Sequence, residues 1–311
     1  MQIAFLAPDN AMRIRPLGSI AFGWISRLRW SPSGAMLAIA GGEGVAVYRG
    51  GFGGAADFNL RGHSAPVKDI AFHPGEQLIA SCSADTHIKL WKIDAGTPGE
   101  AATLTGHPGS VEALAWQPGG GLASGGADGS IRLWDAASGK LAGLLAAHTS
   151  EVTALAFDRS GRWLFSSSRD GSLRRWDMLA NHASGIVGRH DDWVRDIALS
   201  RAGILASASK DMSICLWDTA SPLPKEHESE MRRWTAHAGG VDALAWSPDG
   251  ALLVSGGRDS CLRIWEAATG RELAALTEHR RPVLALDTHP AGGLLASGSG
   301  DNRVVLWAVA L

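Results

Sequence analysis

GHPGSVEALAWQPGGGLASGGADGSIRLWDAASGKLAGLLAAH, residues 106–148, contains a whole structural unit. Residues 111–116 are an apolar run of strand length, and 117–121 are a Pro/Gly turn. A second run at 122–125 leads into 127–130, where an Asp-Gly pair marks a tight hairpin turn. Residues 131–134 alternate apolar and basic side chains, as a half-buried strand does. A further turn at 136–140 is followed by a fourth run at 141–146. Four short antiparallel strands in one period describe a propeller blade.

The unit recurs in residues 67–91, 152–176, 194–217, 241–265 and 283–307. Six tryptophans (Trp91, Trp134, Trp176, Trp217, Trp265 and Trp307) each have an Asp six positions earlier and a Ser ten positions earlier. The aspartates are Asp85, Asp128, Asp170, Asp211, Asp259 and Asp301, and the serines are Ser81, Ser124, Ser166, Ser207, Ser255 and Ser297. Upstream stand His63, His107, His148, His190, His237 and His279, spaced by 44, 41, 42, 47 and 42 residues. A period of that length marks a repeat array. A seventh, degenerate copy precedes these. Aligning Trp30-Ser31-Pro32 with Trp246-Ser247-Pro248 puts Ala21, Ala38, Gly42 and Tyr48 at the His, Ser, Asp and Trp places.

The expected fold is therefore all-β: a seven-bladed propeller of four-stranded antiparallel blades forming one domain over residues 1–311. Blade limits are expected at 19–61, 62–105, 106–146, 147–188, 189–235, 236–277 and 278–311. The last unit reads as three strands, so residues 13–18 (RIRPLG) are expected to complete it and close the ring, leaving residues 1–12 as an arm with no assigned place.

Net charge is -2 and the pI about 6.6, which leaves no global basic field for nucleic acid or an anionic membrane. Cys82, Cys215 and Cys261 show no paired spacing and fall in strand-like runs, which points to a reducing, cytoplasmic setting. The N-terminus lacks the charged and apolar regions of a signal peptide, and no run has the length of a membrane span.

With Gly62-His63 and Gly106-His107 opening two units, and Trp134-Asp135, Trp176-Asp177 and Trp217-Asp218 closing three, the chain resembles the WD-repeat family of β-propellers. The resemblance covers roughly residues 13–311. A Ser–His–Asp set also invites a hydrolase reading. Six equal copies argue against it, because one catalytic serine needs one oxyanion hole. The resemblance implies instead that His, Ser, Asp and Trp hydrogen-bond in series as a structural tie within each blade. No catalytic residue, cofactor or metal site is expected. His73 and His289 read as solvated turn residues, while His87, His182 and His227 lack metal-ligand spacing. GGFGG at 50–54 reads as a flexible link, not a phosphate loop.

The resemblance further implies a platform that binds partners through the residues just after each His and just before each hairpin Asp. Carried over blade by blade, this face includes Trp24, Ser26, Lys68, Glu112, Glu151, Asp242 and Leu284. The candidates singled out for partner binding are Trp193, Arg195, Arg169, Lys210, Arg258 and Trp24. Trp193 stands in HDDWVRD where most blades carry a small or polar residue, and the four cations form a basic arc suited to an acidic protein or peptide. Alternatively, those cations pair with Glu151, Asp191, Asp192 and Asp242. The expected function is thus a non-catalytic interaction scaffold, with no small-molecule substrate. The rivals are a subunit docked through its side wall and a ligand binder or hydrolase at the channel mouth. The connector at 219–234 reads as a tolerated insertion on the outer edge.

Overall fold

A computed structural model describes residues 4–42, 44–50, 54–93, 98–179, 182–220 and 229–309. It contains seven antiparallel sheets of four strands each, arranged as the blades of a ring. The inner strands are Ile25–Trp30, Val67–Phe72, Val111–Trp116, Val152–Phe157, Val194–Leu199, Val241–Trp246 and Val283–Thr288, numbered here as blades 1 to 7.

Burial follows the layering. The second strands Met36–Gly41, Leu122–Gly126 and Leu252–Gly257 are buried at every position, because both of their faces lie against neighbouring blades. The outer strand Lys140–Ala146 is mostly exposed. Blades converge towards the axis, so the innermost contacts demand small side chains. A Cβ on Gly125 would come within 2.5 Å of Val152 in the next blade, and one on Gly298 within 2.7 Å of Ile25. Gly256 of blade 6 is equally close to Val283, and in blades 1, 2, 4 and 5 Ala40, Cys82, Ser167 and Ala208 hold the same second-strand place, all four buried. Close packing of this kind leaves no room for an added methyl group.

The fourth strand of blade 7 is Ile14–Ala21, paired antiparallel with Arg303–Val309 from Ile14↔Val309 to Ala21↔Arg303. It runs three residues beyond the expected end, because Ile20 and Ala21 continue the ladder and Ile20 is buried between blades 7 and 1. Pro16 is accommodated on this outer edge, beside a register shift. The arm does have a place. Ala4 bridges Val309, the Leu6 amide donates to Gly292 O at 2.9 Å, and Leu6 and Ala11 are buried against Trp307 and Leu295. A 3₁₀ turn, Ala11–Arg13, leads into the closing strand. Residues 51–53 of the Gly-rich link and 221–228 of the long connector, with His227, lie outside the described residues.

Deleting residues 1–21 strips one strand and its buried anchor from blade 7. The expected outcome is a fall in Tm of about 10 °C or more by circular dichroism. A truncation that melts like the full chain would refute the closure.

Candidate functional site

Blade 4 shows the polar series in full. Trp176 Nε1–H donates to Ser166 Oγ at 2.8 Å, Ser166 Oγ lies 2.7 Å from His148 Nε2, and His148 Nδ1 lies 3.0 Å from Asp170 Oδ2. An ionised carboxylate only accepts, so Nδ1 carries the proton and Nε2 accepts the serine hydroxyl. Every donor therefore points the same way, from Trp to Asp. Blades 2, 5, 6 and 7 make the same three contacts at 2.7–3.0 Å. The six serines are fully buried, so no substrate reaches a hydroxyl. Burial alone would raise the Asp170 carboxyl, but bonds from His148, Ser172 and Thr149 outweigh it and hold Asp170 far below the usual range.

Blade 3 departs from the expected series. His107 Nε2 reaches Ser124 Oγ at 2.7 Å, but Nδ1 faces Arg132 Nη1 at 2.9 Å in place of Asp128. A guanidinium only donates, so here Nδ1 accepts and the His–Ser bond runs in reverse. The cause is local. In blades 2, 4, 5 and 7 the residue after His donates its N–H to the Asp, at 3.0, 3.0, 3.2 and 3.1 Å. Pro108 follows His107 and has no N–H to give. Asp128 turns to the Ser130 amide and hydroxyl and to Arg132, which lies 3.2 Å away. Burial and the charge of Arg132 together lower His107 to about 4.

Blade 1 has no polar series: the register places Ile39, one residue after the expected Ala38, opposite Leu28 at the Ser place, and both Ile39 and Tyr48 are buried. Its tie crosses the channel instead. Arg27 Nε donates to Asp69 Oδ1 in blade 2 at 3.0 Å, and Nη1 to Asp196 Oδ1 in blade 5 at 3.2 Å. Asp69 Oδ2 also accepts the Leu114 amide of blade 3 at 2.9 Å, and Asp196 Oδ2 the Leu244 amide of blade 6 at 3.0 Å. Five blades thus meet in one buried network. Burial opposes the Arg27 charge, yet Asp196 and Asp69 more than compensate and raise its pKa. The sequence reading missed this triad. The available signal was position three of the inner strand: Arg27, Asp69 and Asp196, against Ala113, Ala154, Ala243 and Ala285.

The two loop sets expected to form the binding face are joined by backbone in each of blades 2 to 7. The amides of Ala84, Ala127, Arg169, Lys210, Arg258 and Gly300 donate to the carbonyls of Pro66, Ser110, Glu151, Trp193, Gly240 and Pro282 at 2.9–3.1 Å. At their centre is a cavity of about 230 Å³ at the channel mouth. Of the six candidates, Trp193, Arg195, Arg169 and Arg258 line it, whereas Lys210 and Trp24 do not. Trp24 is 44% and Trp193 40% exposed. The Arg169 guanidinium lies 4.7 Å, and Lys210 Nζ 4.5 Å, from the Trp193 ring centroid, a cation–π arrangement. Each cation also has a carboxylate: Arg169 with Glu151 at 3.0 Å, Lys210 with Asp192 at 3.1 Å, Arg258 with Asp242 at 2.7 Å, and Arg195 with that same Asp242. Burial, and then the charge of Glu112, raise Glu151.

His73, His289 and His87 are structural in their contacts. His73 and His289, expected as solvated, are half-buried and set edge-on to Trp116 and Trp30, with centroids 4.8 Å apart in both pairs. His87 Nδ1 contacts the Asp85 carbonyl at 2.6 Å. The His182 ring lies outside the described residues.

Two stability predictions follow from these geometries. Asp170→Asn removes the charged acceptor of a buried histidine and is expected to cost about 2–3 kcal/mol, against under about 1 kcal/mol for Asp128→Asn. Equal losses in urea denaturation would contradict the reversed bond in blade 3. Arg27→Ala strands two buried carboxylates and is expected to cost about 3–5 kcal/mol. An Arg27→Ala/Asp69→Asn/Asp196→Asn triple variant should recover part of that loss, and no recovery would mean that the triad is not an electrostatic unit.

The profile of the "WD domain, G-beta repeat" family, WD40, matches residues 56–92, 99–135, 139–177, 184–218, 228–266 and 270–308. Each match joins the outer strand of one blade to three strands of the next, so six matches and the N-terminal strands account for seven blades. Nuclear distribution protein nudF of Aspergillus niger is 27% identical over 246 residues, covering 71% of this chain and 54% of that protein. Nuclear distribution protein PAC1 of Arthroderma benhamiae is 31% identical over 222 residues, covering 70% and 39%. Cell division cycle 20.1, cofactor of APC complex, of Arabidopsis thaliana is 27% identical over 201 residues, covering 63% and 44%. The chain spans about half or less of the length of these curated relatives. With repeats matched from residue 56 to 308 on a seven-bladed ring, the chain belongs to the WD40 family.

Proposed function

We propose that this protein is a non-catalytic interaction platform whose channel-mouth face engages a protein or peptide partner, without cofactor or metal. The observation that carries the reading is Trp193: an indole 40% exposed, beside Arg169 and Lys210, on loops braced by backbone hydrogen bonds. A large aromatic with adjacent cations is the side-chain type that anchors interfaces. Loops already fixed in place lose little conformational entropy on binding. The name of the Arabidopsis relative, a cofactor of a complex, supports the same class of role. The partner is an acidic segment, and the unpaired thiols Cys82, Cys215 and Cys261 fit a reducing cytoplasmic setting.

A second reading, docking through the side wall, is favoured by Leu141 and Leu144, 52% and 54% exposed on the outer strand of blade 3. One experiment separates the two. Trp193→Ala is expected to melt within about 2 °C of wild type, while capture of the main partner from the native source falls by about tenfold or more. Undiminished capture by Trp193→Ala, with loss in a Leu141→Glu/Leu144→Glu variant, would move the interface to the side wall.

A further inference from the structure

The mouth cavity is not evenly satisfied around its rim. On the side of blades 2 to 4 its charges are matched, Lys68 with Glu112 at 3.5 Å and Arg169 with Glu151 at 3.0 Å. The opposite sector, from blade 5 round to blade 1, is different. There Arg195 and Arg258 share the single carboxylate of Asp242. Beside them Leu284 of blade 7 contributes an apolar patch to the lining. In blade 1 the Ser26 hydroxyl is buried in the lining and has no hydrogen-bond partner. Arg27 forms the floor. Its Nε and Nη1 are spent on Asp69 and Asp196, and among the described residues Nη2 makes no hydrogen bond.

A buried hydroxyl left without a partner costs free energy until an acceptor arrives, and the Arg27 Nη2 N–H is free to donate to the same group. The geometry points to a socket in this sector for one carboxylate side chain, glutamate or aspartate, from an acidic segment of the partner. This rests on the channel-mouth reading above and deepens it. The carboxylate accepts from Arg27 Nη2 and the Ser26 hydroxyl, its methylene stem lies on Leu284, and Arg258 closes over it from the rim. Charge-assisted bonds of this kind are about twice as strong as neutral ones. A cationic side chain would meet Arg27, Arg195 and Arg258 against the one lining carboxylate of this sector, Asp242, so an anion is the better fit. The cavity of about 230 Å³ admits one side chain and no folded segment, so the rest of the partner stays on the face.

The test uses the full chain and a fluorescein-labelled peptide of alternating Glu and Ser, followed by fluorescence anisotropy, beside its Gln-for-Glu counterpart. The Glu peptide is expected to bind saturably and the Gln peptide about tenfold more weakly or worse, the difference expected for one charged acceptor. Ser26→Ala, which removes a single hydroxyl, and Leu284→Trp, which fills the space, should each weaken the Glu peptide about fivefold or more. Equal binding of the two peptides, or affinity within about twofold of wild type in both variants, would overturn the socket. Partner capture distinguishes the two levels. If Leu284→Trp retains the native partner and Trp193→Ala loses it, the socket is wrong and the platform stands. If Trp193→Ala also retains the partner, the platform itself fails.

Discussion

Every blade in this ring is a sheet with two apolar faces, so each needs two neighbours. A linear stack would leave one bare face at each end. The pairing of Ile14–Ala21 with Arg303–Val309 removes both ends at once, because it joins residues near the two termini within one sheet. The short inner contacts depend on the same closure. Gly298 lies against Ile25 across the join between blades 7 and 1, as Gly125 lies against Val152 inside the array. A ring closed by main-chain hydrogen bonds and wedged by small residues cannot open at one blade without exposing the faces of two.

Polar ties are a second layer laid over that packing, and they are not uniform. In blade 4 a carboxylate, an imidazole, a hydroxyl and an indole form a one-way series, with the Asp also anchored by the Thr149 amide. It is rearranged in blade 3, where a proline follows the histidine and an arginine stands within reach of the imidazole. Without an amide after His107 the Asp moves away, and Arg132 takes its place at the imidazole. Blade 6 lies between the two states: Arg263 reaches both Asp259 and His237 while the His–Asp contact survives at 2.8 Å. Blade 1 has lost the series and is tied through the axis by Arg27. A buried ion network is weak evidence for net stability but a strong constraint on geometry, since a misplaced blade would leave two carboxylates uncompensated.

The ring, the number of blades and the closing strand were legible because they rest on period: strands of fixed length, turns between them, and six copies of one spacing. Position-specific chemistry was legible only where it repeated. The reversed bond in blade 3 involves His107-Pro108 and Arg132, twenty-five residues from the histidine, and no repeating spacing marks that combination. Arg27 was harder. Its partners lie 42 and 169 residues away, and no local pattern joins them until the blades are placed round an axis. The arm gave no periodic signal at all. Its place depends on Leu6 and Ala11 filling space against blade 7, which is a property of shape and not of pattern.

The same division explains where the chain can carry specificity. Residues that repeat, such as the six buried serines, are tied to their neighbours and cannot vary without loss of packing or hydrogen bonding. The second residues of the inner strands line the mouth instead and differ from blade to blade. There the lining positions of the inner strands read Ser26, Lys68, Glu112, Thr153, Arg195, Asp242 and Leu284, one from each blade and no two alike. A rigid ring therefore presents a circle of independent chemical choices whose spacing is set by packing. The most deeply placed of those choices belongs to blade 1, which puts an arginine on the axis, where it both braces the ring and forms the floor of a cavity that all seven blades share.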